Sequence, residues 1–328
     1  MSRRITNVVL LAATLILVTT GLVAWVIPES KATFLYDLHR ITGLGLVLVL
    51  PWKELIARAS LTRRIHLRAL ASALPGLLST IALVATVALG LAWTIGLVSF
   101  DRPIPYSAMN LHVFAGIVLV PLAAWHVLQR WEPLRARDLR ARRAALRLLG
   151  LGTLAIVAGV AAEHFPPGRR VTGSKHAGSF TGNDFPLTIW AFDQVPTIDP
   201  RTWRLELAGA LADLSPLDLG SLLARPAREI DAVIDCTGGW WSEQRWRGVP
   251  LLDLLRDHRL DPAATSVRMT SVTGHSWSYP IPDLGDALLA THVGGQPLSA
   301  GHGAPVRLVV PGRRGFQWIK WVARVEAS

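Results

Sequence analysis

The chain is short of charge: Asp, Glu, Lys and Arg make up only 17% of its 328 residues, while 51% are hydrophobic. That scarcity argues against a purely soluble protein, and long uncharged runs account for it. Cysteine is scarcer still. With a single thiol, Cys236, no intrachain disulfide can form and the redox compartment goes unrecorded. A lone cysteine is by default an inert, small core residue. Acidic residues are also in deficit, giving a formal net charge of +11. The deficit is confined to one half of the chain. Through Ala162 there are 17 Lys and Arg against 6 Asp and Glu, whereas from Glu163 onward there are 17 of each. A basic excess limited to the apolar half marks loops that set membrane topology, so nucleic acid is excluded as a partner. There is no internal repeat and no low-complexity tract.

What is present is a set of apolar runs. Val8–Ile27 is 20 residues without a charge, enough to span a bilayer. Arg3 and Arg4 precede it as in a signal peptide, but no small-x-small cleavage site follows and further spans do. Leu35–Ala57, Leu77–Phe100, Met109–Gln129 and the shorter Leu148–Ala162 complete five predicted spans. Basic residues cluster between spans two and three (Lys53, Arg58, Arg63, Arg64, Arg68) and between four and five (Arg130 to Arg147). The opposite loops hold only Lys31 and Arg102. The positive-inside rule then places the N-terminus in the cytoplasm and residues 163–328 outside a multi-pass cell-membrane protein.

Histidine is the chemically telling residue of this half. His112 and His126 lie 14 residues apart on the fourth span, which is about 21 Å of rise and nearly one face of a helix. Ionisable groups inside a membrane are costly, so each is a functional candidate. Two stacked b-type haems, each with two axial imidazoles, suit this spacing. His39 opens the second span level with His112, which makes them the expected ligands of an outer haem iron. His126 is the candidate ligand of a second haem, for which His66 lies on the correct side but outside the hydrocarbon. His164 either caps the bundle or competes for the outer iron. The count of haems is thus one or two.

From Pro166 onward Gly, Pro and turn pairs punctuate short β-rich runs: Trp203–Leu207, Ile230–Ile234, Ser266–Thr270 and Val306–Val310, with one helix-like stretch at Val249–Leu260. The expected architecture is an all-α transmembrane bundle of five spans over 1–162, followed by an α+β domain over 163–328. Within the latter, Asp235-Cys236-Thr237-Gly238-Gly239-Trp240 followed by Trp246-Arg247-Gly248-Val249-Pro250-Leu251 resembles the metal-binding segment of the sulfite oxidase family. The run His302 to Gly312, then Gly315-Phe316-Gln317-Trp318-Ile319-Lys320-Trp321, resembles its pterin-binding segment. Gly295-Gln296-Pro297-Leu298 and Gly182-Asn183-Asp184-Phe185-Pro186 match the turn and the lead-in segment of that family.

The resemblance implies one molybdopterin without an appended nucleotide, with the Cys236 thiolate as the protein's only ligand to molybdenum. A soft thiolate suits a metal already held by dithiolene sulfurs. It further implies that Asn183, Ser271, His302, Arg307 and the segment Trp318, Ile319, Lys320 contact the cofactor, Arg307 and Lys320 meeting its phosphate. Tyr279 is a candidate proton donor, with a packed aromatic as the alternative. Sulfite-oxidising members place an arginine shortly after the ligand cysteine. Here that stretch, Thr237 to Trp241, is neutral and aromatic, and Arg245 and Arg247 come later. This disfavours a dianion. The expected function is oxygen-atom transfer with a small molecule or a methionine-sulfoxide-type substrate, in the direction of S- or N-oxide reduction, with electrons exchanged with the quinone/quinol pool through haem b. Alternatives are oxidation of sulfite or another small molecule, and a haem relay with an inactive outer domain. Arg142-Arg143 before the fifth span resembles a twin-arginine export signal for a folded, cofactor-loaded domain, or else acts only as positive-inside charge; Arg3-Arg4 is a second such pair.

Overall fold

The computed structural model describes residues 2–66, 70–97, 106–133, 135, 138, 142–163, 168–189 and 193–328. They form two compact units, 1–173 and 174–328. The first contains the long helices α1 (Arg3–Val26), α2 (Glu29–His66), α3 (Leu74–Ile95), α4 (Ala108–Arg130) and α5 (Arg142–Glu163). All five are long and apolar enough to cross a membrane.

Local chemistry sets their ends. The Ser2 side chain caps α1, Pro75 sits in the first turn of α3, and Ser107 and Asn110 form a capping box at the start of α4. α3 ends where Gly96 turns left-handed at φ 80°. α1 packs on α2, α3 on α4, and α2 on α5. The bundle is inside-out relative to a soluble one: Leu15, Leu77, Leu128 and Leu149 are exposed, while Leu10, Leu46 and Val49 pack inside. Hydroxyls inside it bond backbone carbonyls, Thr14 donating to Leu10 and Thr86 to Ala82 on their own helices, and Tyr36 to Ala24 and Ser79 to Leu122 across helices.

Two helices outrun the expected spans. α2 starts at Glu29 and reaches His66, and α5 starts at Arg142 rather than Leu148. Arg, Leu and Ala are good helix formers, so the helix continues into the basic stretches where hydropathy drops. The third span stops earlier than expected, at Ile95, and residues 98–105 lie outside the described residues, as does His164.

The second unit is built on two sheets. The first contains β1 (Lys175–His176), β4 (Arg228–Asp235), β5 (Trp240–Pro250), β8 (Leu288–Val293), β9 (Gln296–Pro297) and β10 (Arg307–Val309). The second has the order β3 (Leu217–Asp218), β2 (Arg204–Gly209), β11 (Val322–Ala327), β6 (Ser266–Ser271) and β7 (Ser276–Pro280). Two short helices, α6 (Leu219–Leu223) and α7 (Leu251–Asp257), complete it. The four expected β-runs are strands, but the helix-like stretch from Val249 is helical only from Leu251. Val249 and Pro250 end β5 instead, where they pair with Leu289 and Leu288. A buried strand pairing outweighs the local helical pattern there.

Candidate active site around Cys236

Cys236 sits in the tight connection between β4 and β5. Its N–H donates to the Trp240 carbonyl at 2.8 Å, and the Gly239 N–H donates back to the Cys236 carbonyl at 2.9 Å. Gly239 takes a φ of 91°, which a side chain would resist. The turn buries the thiol to 7% exposure and gives Sγ one partner, the Gly238 N–H at 3.3 Å.

Behind the turn lies a buried polar cluster. Asp235 accepts from the Ser174 hydroxyl and from Arg314 Nη1, each at 2.6 Å. Arg314 Nη2 reaches the Cys236 carbonyl at 3.2 Å. The Arg314 and Asp235 side chains are 4% and 3% exposed. A Cβ on Gly315 would lie 3.2 Å from the Cys236 Cα, so only glycine lets this segment approach so closely.

Two cations interact with Cys236, Arg307 buried and Lys320 half-buried. Arg307 opens β10, is almost fully buried, and donates to the His302 carbonyl at 3.1 Å; its Nε has no partner. Its guanidinium lies 5.6 Å and 5.9 Å from the ring centres of Trp246 and Trp318. Lys320 Nζ donates to the Thr188 and Gly301 carbonyls, both at 2.9 Å. Burial pushes Arg307 down to about 10, against the pull of Cys236. Burial and then the Arg307 charge push Lys320 down to about 7. Among the described residues neither cation forms an ion pair with a carboxylate. A buried guanidinium without an ion-pair partner is costly, and an anion bound beside it and Lys320 reduces that cost. The same two cations act electrostatically on Cys236. The donor set therefore fits a cofactor that carries a phosphate and a metal together. Among the described residues no group of three or more His, Cys, Asp or Glu is placed to hold a metal. A metal at Cys236 would need ligands from the cofactor itself.

Other expected contacts are differently employed. Asn183 braces a turn, its amide donating to the Pro297 carbonyl at 3.0 Å and accepting from the Ser299 N–H at 2.9 Å. Ser271 bonds the hydroxyl and the N–H of Thr273, both at 3.1 Å. His302 lies between the Phe185 carbonyl at 3.0 Å and the Ser299 hydroxyl at 2.8 Å. Burial and then Arg307 lower it to about 4, so its ring is neutral. Trp318 is buried and donates to the Arg313 carbonyl at 3.0 Å. Ile319 is buried and pairs through its carbonyl with the Leu308 N–H at 2.8 Å. All of these bonds are within the protein, through the main chain at Ile319 and through side chains at the others.

Tyr279, the candidate proton donor, is buried: its hydroxyl donates to the Gln317 carbonyl, and burial pushes the phenol well above its ordinary value. It thereby ties the Gly315–Gln317 turn to β7. Arg245 is an exposed fork on Asp231 at 2.8 and 2.9 Å, and Arg247 is also exposed. The buried arginine missed in the sequence is Arg314, which sits in a Pro-Gly-Arg-Arg turn that reads as solvent-facing.

The first unit brings a second pair together. The His39 and His112 rings lie 6.1 Å apart, centre to centre. Two imidazoles sharing one metal, each bond about 2 Å, require roughly 6 Å. His39 Nδ1 meets the Thr20 hydroxyl at 3.1 Å and His112 Nδ1 the Thr86 carbonyl at 2.7 Å. Such outward bonds fix ring orientation and leave Nε2 for a metal. Each ring lies against a helix glycine. A Cβ on Gly90 would sit 3.0 Å from His112 and one on Gly21 3.3 Å from His39, while Gly76 similarly faces His126. His66, which lies on the correct side for a partner of His126 but is expected outside the hydrocarbon, has its side chain outside the described residues.

Residues 192–328 match the oxidoreductase molybdopterin binding domain. The chain is 33% identical over 181 residues to mitochondrial sulfite oxidase of Mus musculus, covering 45% of this chain and 32% of that protein. It is 34% identical over 157 residues to the protein-methionine-sulfoxide reductase catalytic subunit of Gluconobacter oxydans, covering 40% and 49%. A similar solved structure is the sulfane dehydrogenase SoxCD of Paracoccus pantotrophus, 25% identical over 40% of each chain, with a TM-score of 0.39. The chain thus spans about a third to a half of the length of the curated relatives it matches.

Proposed function

We propose that this chain, whose residues 192–328 belong to the oxidoreductase molybdopterin-binding domain family, is a membrane-anchored molybdenum oxidoreductase. The helices of residues 1–162 anchor it and hold haem b. Residues 163–328 lie outside the membrane and hold one molybdopterin. The observation that carries the reading is the pairing of a buried thiol with a buried arginine and a half-buried lysine, neither of which forms an ion pair among the described residues.

Each residue has a task in this reading. Cys236 supplies the thiolate that ligates molybdenum, and the Gly238 N–H steadies its sulfur. Arg307 and Lys320 hold the pterin phosphate, the arginine as a fork and the lysine as a point charge. Asn183, Ser271, His302, Trp318 and Ile319 keep the cradle in shape. His39 and His112 hold the haem, and His126 is the residue available to a second one. When bound, the molybdenum centre supplies two-electron oxygen-atom exchange, and the haem supplies one-electron exchange with the quinone pool.

Reduction of an S-oxide consumes two electrons and two protons and releases the sulfide and water. We favour this direction over sulfite oxidation because the turn after Cys236 is neutral. Arg245 is committed to Asp231 at the surface, so it is not among the groups around the thiol. The relative named for methionine-sulfoxide reduction supports an S-oxide substrate of that kind. The relative named for sulfite oxidation supports the second reading, in which electrons pass into the membrane. A steady-state screen of methionine sulfoxide, other S- and N-oxides and sulfite, with quinol or an artificial donor, separates the two. Turnover of sulfite alone would reverse the proposed direction.

A further inference from the structure

We propose that Arg314 is a positioning residue for Cys236, clamping the metal-ligand turn to the segment that holds the pterin. The inference rests on the reading of Cys236 as the metal ligand.

The cluster joins three stretches of chain that are distant in sequence. Ser174 comes from just before β1, Asp235 and Cys236 from the end of β4, and Arg314 from the turn before Gly315. One guanidinium spans two of them. Nη1 holds the Asp235 carboxylate at 2.6 Å and Nη2 holds the Cys236 carbonyl at 3.2 Å. Ser174 takes the same Asp235 oxygen at 2.6 Å, which fixes the carboxylate from the other side. Arg314 is in turn tied to its own segment, its N–H donating to Gln317 Oε1 at 3.1 Å. Tyr279 anchors the Gln317 carbonyl. A continuous set of bonds thus runs from β7 through the Gly315–Gln317 turn to the carbonyl of the ligand cysteine.

An ion pair this deeply buried is weak evidence for stability, because apolar residues of similar volume usually do as well. What it does supply is direction. A guanidinium has a rigid fork that fixes two acceptors relative to each other, which an ammonium cannot do. The pair is also internally neutral, so it leaves Arg307 and Lys320 as the charges that meet an anion. The geometry therefore assigns Arg314 to the orientation of the thiolate and not to the cofactor's charge.

Because Cys236 is the only cysteine, alkylation of the thiol reports on this site alone. The test uses the full-length chain and two variants, cofactor-free for thiol labelling and molybdenum-loaded for metal content and turnover. Arg314→Lys keeps Asp235 paired but cannot span both acceptors. Asp235→Asn with Arg314→Gln removes both charges, so no unpaired charge is left to unfold the protein. We expect both variants to keep molybdenum, since Arg307 and Lys320 remain. We also expect iodoacetamide to label Cys236 at least about tenfold faster, with kcat lowered by a similar factor and KM unchanged. Wild-type labelling and kcat in the double variant would reduce the pair to packing and overturn the proposal. Loss of the underlying reading looks different: the wild-type chain would then carry no molybdenum.

Discussion

The two units present candidate metal sites of opposite construction. In the helical unit two histidines from different helices converge, each braced by one bond from a neighbouring helix and backed by a glycine. In the sheet unit one cysteine stands in a turn, its sulfur bonded by the Gly238 N–H of that turn and acted on by Arg307 and Lys320 from far along the chain. The polar groups differ in the same sense. Thr14 and Thr86 of the bundle bond a carbonyl a turn away on their own helix, whereas Arg307 and Lys320 donate to carbonyls brought in by loops and lie over tryptophan rings. A bundle fixes ligands by depth and helix face. A loop-rich domain fixes them by closing several turns on one point.

If the two sites are separate centres in one enzyme, the largest effect comes from the thiol. Cys236→Ser should abolish turnover, because a neutral hydroxyl replaces the thiolate poorly, while the haem spectrum stays intact. Full activity in that variant would remove the metal role of Cys236. The next effect sharpens the helical side. His39→Ala and His112→Ala should each eliminate the same low-spin haem signal, because axial ligands act in pairs. Loss of different signals in the two variants would break the pairing.

A third effect concerns how the sheet unit reaches the outside. Arg142 and Arg143 form the first turn of α5, where two cations oppose the helix dipole and so gain nothing locally. Replacing both by Lys keeps the charge and removes a twin-arginine signal. We expect the bundle and haem to persist while residues 163–328 become inaccessible to protease added from outside. Normal exposure would leave charge as their only role. The smallest effect is a pH dependence. Lys320 lies near 7 without an anion, and an anion beside it favours the charged form. Binding then takes up a proton above pH 7 and weakens as pH rises, by up to about tenfold per unit. Sulfate binding to the cofactor-free chain between pH 6.5 and 8.5 measures this, and a flat profile would exclude Lys320 from the anion site.

The contrast also explains what could be read in advance. Span length and charge-free runs located all five helices, because bilayer thickness and helix rise leave little freedom. Depth alone sets His39 level with His112, and their rings lie 6.1 Å apart. In the sheet unit, spacing could not show that the Asn183 and His302 side chains serve turns, since a side chain's partner is decided by loop closure. Tyr279 alternates on β7 like any strand residue, and its hydroxyl bond to Gln317 links positions 38 residues apart. Arg314 was hidden for the same reason: its burial depends on a turn docking against Cys236 through Gly315. The Val249–Leu260 pattern overextended the helix because pairing with β8 is not a local property.

The central claim is that the two sites work as one electron path. It is tested most directly by following the haem absorbance in the purified full-length chain after reduction with quinol. Adding methionine sulfoxide should reoxidise the haem in the wild type and leave it reduced in Cys236→Ser. Reoxidation at the same rate in both, or in neither, would contradict the account.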